Sequence, residues 1–340
     1  MKLVFVNTSS IEEVTDLKVT LNIGSGYYIL AAYHSLATLL GFLGNTIVLI
    51  GSLKCKAVYV DKISALLVET LAVFDILILV FFCVPIWDTL LSRKWRLGPV
   101  ICFFQGFLGF SFCMIEMTII QGASLYRLYA LLYPFSARVI TRRQAYRIIA
   151  GITIFIISYM FCIHFMGQFW YFSPPLISCQ PSGITDPRVS MVIYTAVATV
   201  LTMTIPVLTI IMSNVGILVK VSRSRDTGQT TVRFPGRRAV ITVSLVAWTF
   251  VLSVIPMMVR ILLQLSQVDM EVSFTVTSIE MLFLNTVLNP IIYMLTSRRF
   301  RGYLRFIWSS EKFEINPSES IVKLNPMHQP SNRSNLSSQM

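Results

Sequence analysis

Apolar residues in this chain fall into seven long blocks joined by short polar connectors: about Tyr27 to Leu53, Ile63 to Leu91, Leu97 to Tyr133, Ile148 to Phe172, Val189 to Val219, Ala239 to Leu265 and Val272 to Thr296. A helix rising about 1.5 Å per residue needs roughly 20 residues to cross a hydrocarbon layer of about 30 Å, and every block is long enough. The first, fourth and fifth contain no Asp, Glu, Lys or Arg. Segments apolar on all faces dissolve in lipid, whereas those of a soluble core alternate. The pattern predicts an all-α integral membrane protein, a seven-transmembrane helix bundle, whose odd span count puts the termini on opposite sides.

The connectors set the orientation. Seventeen Lys and Arg lie on the side that holds Lys54 to Lys62, Arg138 to Arg147, Lys220 to Arg238 and Arg298 to Arg305, against six on the other. Positive residues favour the cytosol, so the N-terminus is expected outside and the C-terminus inside, in a multi-pass protein of the plasma membrane. Leu3 to Val6 is shorter than a signal-peptide core, so the first block is expected to direct insertion. Residues 1–26 then form an extracellular N-terminus and 27–297 the bundle. Over 298–308, Phe300, Leu304 and Ile307 recur at helical spacing among arginines, which predicts a short amphipathic eighth helix on the inner leaflet. Residues 309–340, rich in Ser and Asn, read as a disordered cytoplasmic tail.

Composition agrees: 55% hydrophobic and 13% charged residues do not suit a soluble domain. The net charge of +12 sits in clusters beside the apolar blocks, where it meets lipid headgroups or a cytosolic partner, and no nucleic-acid partner is expected. Six cysteines are too scattered for a disulfide scaffold, and the three histidines lack metal-ligand spacing.

Several landmarks occur in the right blocks and order. Gly44-Asn45 lies in the first, Leu71-Ala72-Val73-Phe74-Asp75 in the second, and Trp95-x-x-Gly98 precedes Cys102 at the start of the third. Pro206 lies in the fifth, Pro256 in the sixth, and Asn285 precedes Asn289-Pro290-Ile291-Ile292-Tyr293 in the seventh. Together these resemble the rhodopsin-like (class A) G-protein-coupled receptors over roughly Gly44 to Trp308. The stretch Gly106 to Ser111 and the loop around Cys179 are similar to melatonin-type receptors and their invertebrate relatives.

Each landmark has its own physics. Pro256 and Pro290 remove backbone donors inside helices, leaving either static kinks or bending points. Asp75 is an acid near mid-membrane, a costly placement that marks a functional site by default. Asn285 and Asn289 are four residues apart and share a helix face. The resemblance implies that this cluster, joined by Glu116, holds a sodium ion coupled to activation; a hydrogen-bonded, protonated acid without an ion is the other reading. It also implies a Cys102–Cys179 disulfide outside and a switch arginine, Arg127, about 16 Å along the third helix from Glu116. The family's acid beside that arginine is Tyr126 here, and the sixth-helix tryptophan is Val254, with Phe250 one turn inward. Asn214 stands in place of a tyrosine, and the fourth helix lacks a tryptophan near Ile154.

Gly109 stands where amine receptors carry an aspartate, and no lysine occurs between Val272 and Thr296 for a retinal Schiff base. The ligand-pocket candidates are Trp87, Asp88, Gln105, Gly109, Arg260, Gln264 and Glu280, with His164, Trp170 and Tyr171 nearby. Arg260 either binds an anionic group, snorkels outward, or pairs with Asp269 or Glu271. Glu280 either lines the pocket or bonds a neighbouring helix. Asn7-Thr8-Ser9 is an external glycosylation sequon. The resemblance implies a heterotrimeric G protein, arrestin through the tail, membrane lipid and an unidentified extracellular ligand as partners, with no cofactor besides sodium. A channel or transporter lacks an inverted repeat here, and an enzyme lacks a catalytic constellation. A receptor-like scaffold that binds ligand without G-protein coupling is the alternative.

Overall fold

The computed structural model describes residues 26–54, 62–165, 170–173, 177–181, 196–197, 199–226, 237–266, 268, 270–296, 300–301, 312–315 and 322–325. Among them, seven helices are long and apolar enough to span a membrane: Tyr27–Ser52, Lys62–Ser92, Gly98–Leu132, Arg142–Cys162, Val200–Arg223, Val240–Leu265 and Val272–Thr296. The third span lies at the centre, packing against the second, fourth, fifth and sixth, while the seventh packs on the first and sixth. Ile115 of the third span and Ala247 of the sixth are fully buried. The fourth span, by contrast, turns Ile154 and Phe155 outward, 66% and 71% exposed, as a lipid-facing helix should.

Proline shapes two spans in the same way. In the second, Leu79–Cys83 forms a π turn closed by the Val84 N–H on the Leu79 carbonyl, two residues before Pro85. In the fifth, Val200–Thr204 forms another, closed by the Ile205 N–H on the Val200 carbonyl, two residues before Pro206. A proline lacks an N–H and its ring crowds the carbonyl four residues back, so widening the preceding turn relieves both problems.

Small residues allow close approach elsewhere. A Cβ at Gly44 would stand 2.7 Å from Pro290 Cγ, so the first span meets the seventh at its proline only because Gly44 has no side chain.

Most block boundaries hold to within a residue or two. The fourth differs, since its helix runs Arg142–Phe165 and Trp170–Ser173 is a strand, β1. It pairs antiparallel with β2, Ser178–Pro181, bringing Phe172 opposite Cys179. The apolar run over Trp170 to Phe172 is therefore loop hairpin and not membrane helix; the disulfide below fastens that hairpin to the bundle. The fifth helix continues to Asp226, beyond the apolar block. Of the eighth helix only Phe300 and Arg301 are described, both helical; Phe300 is buried against Val48 and Tyr293, and the rest of 298–308 lies outside the described residues. In the tail, β3 (Lys312–Ile315) pairs antiparallel with β4 (Val322–Asn325), a ladder that the polar composition does not announce.

Candidate functional site

Three polar layers run along the bundle axis. At mid-depth lies the predicted cluster. Asp75, Glu116, Asn285 and Asn289 are all buried, and Asn45 from the first span joins them. The Asn285 amide donates to Glu116 Oε1 at 2.7 Å, and the Asn289 amide donates to Asp75 Oδ2 at 3.1 Å. Asp75 and Glu116 lie within hydrogen-bonding reach of each other. Asn45 spends its amide hydrogens on the carbonyls of Gly41, at 3.0 Å, and Thr286, at 2.8 Å. The amide donors of all three asparagines are thus taken up by carboxyls or carbonyls. The Oδ1 atoms of Asn45, Asp75, Asn285 and Asn289 are buried and accept no hydrogen bond among the described residues. A group of open oxygens beside two carboxyls suits a hard monovalent cation or shared protons; it does not suit a soft metal.

Directly above this cluster a small cavity of about 40 Å³ opens between the third, fifth, sixth and seventh spans. Its wall includes Phe82, Cys113, Met114, Met203, Phe250, Val254 and Met257, with Glu116 at one side. Val254, in place of an indole, leaves the cavity in contact with the carboxylate layer.

The predicted pocket residues are not its lining. Asp88 is tied on the surface to Arg96, whose Nε lies 2.9 Å from Oδ2, and Trp87 is 41% exposed. The π turn explains this: one extra residue rotates everything after Cys83 by roughly 100° relative to an unbroken helix. Gly109 has no room for a side chain, since a Cβ there would meet the Phe82 ring at 2.2 Å. Arg260 is buried and donates to Gln264 Oε1 at 3.0 Å and to Met257 Sδ at 3.4 Å. Glu280 bonds His34 of the first span, so the neighbouring-helix reading of Glu280 holds. The side chains of His164, Trp170 and Tyr171 lie outside the described residues, as does Asn7.

The layer at one end of the bundle is closed by the Cys102–Cys179 disulfide, which the structure contains. Gln105 supports it: its Oε1 accepts the Cys179 N–H at 3.0 Å, while its Nε2 donates to the Phe82 carbonyl at 3.3 Å. That carbonyl belongs to the π turn, so Gln105 satisfies a backbone group near the bulge and steadies the hairpin together.

The layer at the opposite end surrounds Arg127, which is 7% exposed. Its Nη2 donates to Ser64 Oγ of the second span, and its guanidinium lies 5.9 Å from the Tyr126 ring centre. Asn214 donates to Ser124 Oγ at 3.3 Å, linking the fifth span to the third. Thr242 donates to Thr296 Oγ1 at 2.7 Å across the sixth and seventh. Sequence reading missed Glu69, which accepts Ser52 Oγ at 2.6 Å and is also bonded by Arg142, joining the first, second and fourth spans. An acid inside an apolar block was its only local signal. Pro256 and Pro290 both lie within continuous helices, and Phe250 and Tyr293 are buried near them.

A buried arginine at one end of a central helix, a carboxylate–asparagine layer at mid-depth and a disulfide-fastened hairpin at the other end make up one arrangement along the bundle. The chain belongs to the 7 transmembrane receptor (rhodopsin family), whose family model matches residues 44–293. Its fold is similar to the crystal structure of squid rhodopsin, with a TM-score of 0.71 at 18% identity, covering 85% of this chain and 88% of that one. At that identity the likeness speaks for the fold alone. It carries no ligand across, and the melatonin-type resemblance rests only on the sequence stretches named above.

Proposed function

We propose that this protein passes an extracellular signal to a cytosolic heterotrimeric G protein through rearrangement of its helix bundle. The observation that carries the reading is Arg127, a buried cation at the inner end of the central span whose named partners are a serine hydroxyl and an aromatic face. A single hydrogen bond to a charged group contributes only about 1.5–3 kcal/mol net, so the Ser64 contact is one that a partner protein can replace. In this reading the N-terminus is outside, the seventeen inner Lys and Arg face the cytosol, and arrestin binds through the tail.

A sodium ion is proposed at Asp75 and Glu116, with the open oxygens of Asn45, Asn285 and Asn289 as further ligands. The ion would supply positive charge between two buried carboxyls, and the asparagine amides orient those carboxyls toward it. Expression in cells carrying a panel of G-protein sensors, with no added ligand, tests the receptor reading. Basal coupling to at least one G protein is the expected result. Surface expression with silence on every sensor, with Arg127→Ala indistinguishable from the parent, would favour the non-coupling scaffold, for which Tyr126 and Val254 are the supporting substitutions.

A further inference from the structure

His34 lies where the first, second and seventh spans meet, and it is 1% exposed. Its Nε2 is 3.0 Å from the carbonyl oxygen of Cys83, and its Nδ1 is 3.0 and 3.1 Å from the two carboxyl oxygens of Glu280. A carbonyl can only accept, so Nε2 carries a hydrogen. The Nδ1 contact then requires one hydrogen more. It sits either on the ring, giving imidazolium and carboxylate, or on Glu280, giving two neutral groups. Both assignments hold the same number of protons. Without that proton, a nitrogen lone pair would face carboxylate oxygens at hydrogen-bond distance inside the bundle, and the contact could not persist.

The position of the carbonyl matters. Cys83 is the last residue of the π turn ahead of Pro85, where the backbone ladder is widened and its carbonyls are open to side-chain donors. His34 donates to Cys83 from the first span as Gln105 donates to Phe82 from the third. The histidine is therefore part of what stabilises the bulge. The other ionisable groups that bear on the pair are Tyr33 of the first span and Cys83 of the second, with Cys113 of the third bearing on Cys83. Phenols and thiols are ordinarily neutral up to about pH 8, so these neighbours bring no further charge to the pair below that pH. The Glu280 side chain is the more exposed of the two, at 10% against 2% for His34.

We infer that His34 and Glu280 form a binding site for a single exchangeable proton, and that filling this site bolts the first span to the second and seventh. Under the orientation proposed above, which this inference takes over from that reading, the site lies in the outer half of the bundle and acidity outside the cell acts on its conformation. Protonation favours the clasp; as pH rises through the range where the proton leaves, the clasp opens. One proton exchanged changes the ratio of clasped to open forms by at most about tenfold per pH unit.

The test uses the purified full-length chain in lipid nanodiscs and follows its thermal midpoint from pH 5.5 to 8.5, beside Glu280→Gln. The glutamine amide donates an N–H to Nδ1 of a neutral ring, so that variant keeps the clasp without the extra proton. The expected result is a midpoint that falls by several degrees more in the parent than in Glu280→Gln as pH rises. Parallel profiles would overturn the proposal. Should Glu280→Gln not fold, histidine-selective ¹⁵N NMR on the unmodified chain decides, because only three histidines must be resolved. A His34 resonance that titrates within the range, with the midpoint seen in the thermal profile, supports the site; one that stays fixed from pH 5.5 to 8.5 overturns it. Neither readout involves a G protein, so failure here and failure of the receptor reading are separate outcomes.

Discussion

In the orientation proposed above, the outer and inner ends of the bundle are fastened by different chemistry. Outside, a disulfide ties the hairpin to the third span, Gln105 braces it, and His34 with Glu280 joins the first span to the seventh. Inside, the named links among the second, third, fifth, sixth and seventh spans are single hydrogen bonds: Arg127 to Ser64, Asn214 to Ser124, Thr242 to Thr296. Glu69, at the rim with Arg142, is a charged clamp there. A covalent bond and a buried ionisable pair resist opening, whereas single hydrogen bonds each yield at a small cost. The difference puts the firmer fastening at the disulfide end and the more easily exchanged links at the Arg127 end, which suits the receptor reading proposed above.

The comparison breaks first, and most visibly, if the outer fastening is dispensable. Cys102→Ser or Cys179→Ser removes a link spanning 77 residues, which loop-closure entropy values at on the order of 3–5 kcal/mol. Surface expression measured by flow cytometry should fall severely for both single variants. Native-like expression of both would mean that Gln105 and the hairpin hold the mouth without the bond.

The middle layer joins the two halves, and Glu116→Ser tests it next. Removing one of two buried carboxyls leaves Asp75 with less need for a shared cation or proton. The thermal midpoint of the parent should rise with sodium against a choline control, and the variant should lose most of that response. An unchanged sodium response would remove Glu116 from the site.

At the inner end the effects are smaller and of opposite sign. Tyr126→Asp restores a carboxylate beside Arg127, and a charge-assisted bond is about twice as strong as a neutral one, so the resting state should gain on the order of 1 kcal/mol. Basal G-protein signalling at matched surface expression should then drop several-fold, given that about 1.4 kcal/mol is tenfold in a two-state ratio. Ser64→Ala removes the hydroxyl on the other side of the guanidinium and should raise the same signal, by a few-fold. If both variants match the parent, Arg127 is not what holds the resting state.

The smallest change concerns the rim. Glu69→Gln leaves the Ser52 contact possible but discharges the clamp to Arg142, whose side chain is 45% exposed. Solvent screening limits such a pair to about 0–1 kcal/mol, so thermal stability should move by a degree or two and basal signalling little. A large loss of folded protein would show that the inner rim is fastened as firmly as the outer mouth.

Seven spans, their order and the position of each landmark were legible in the chain itself, because a lipid solvent demands long uncharged helices and leaves few places for a polar residue. Asp75, Arg127 and the two asparagines of the seventh span stand out for that reason. The disulfide came through resemblance to the family. What only the tertiary structure decided are the partnerships between residues far apart in the chain. His34 and Glu280 are separated by 246 positions, and Arg127 and Ser64 by 63, with no periodicity to connect them. Trp87 and Asp88 lie off the small cavity for a local cause with a non-local effect. Pro85 widens one turn of the second span, the helical phase shifts, and residues that an unbroken helix would have aimed inward face the surface. Hydropathy determines which segments enter the membrane; packing, at the resolution of one extra residue in a turn, determines which side chains meet there.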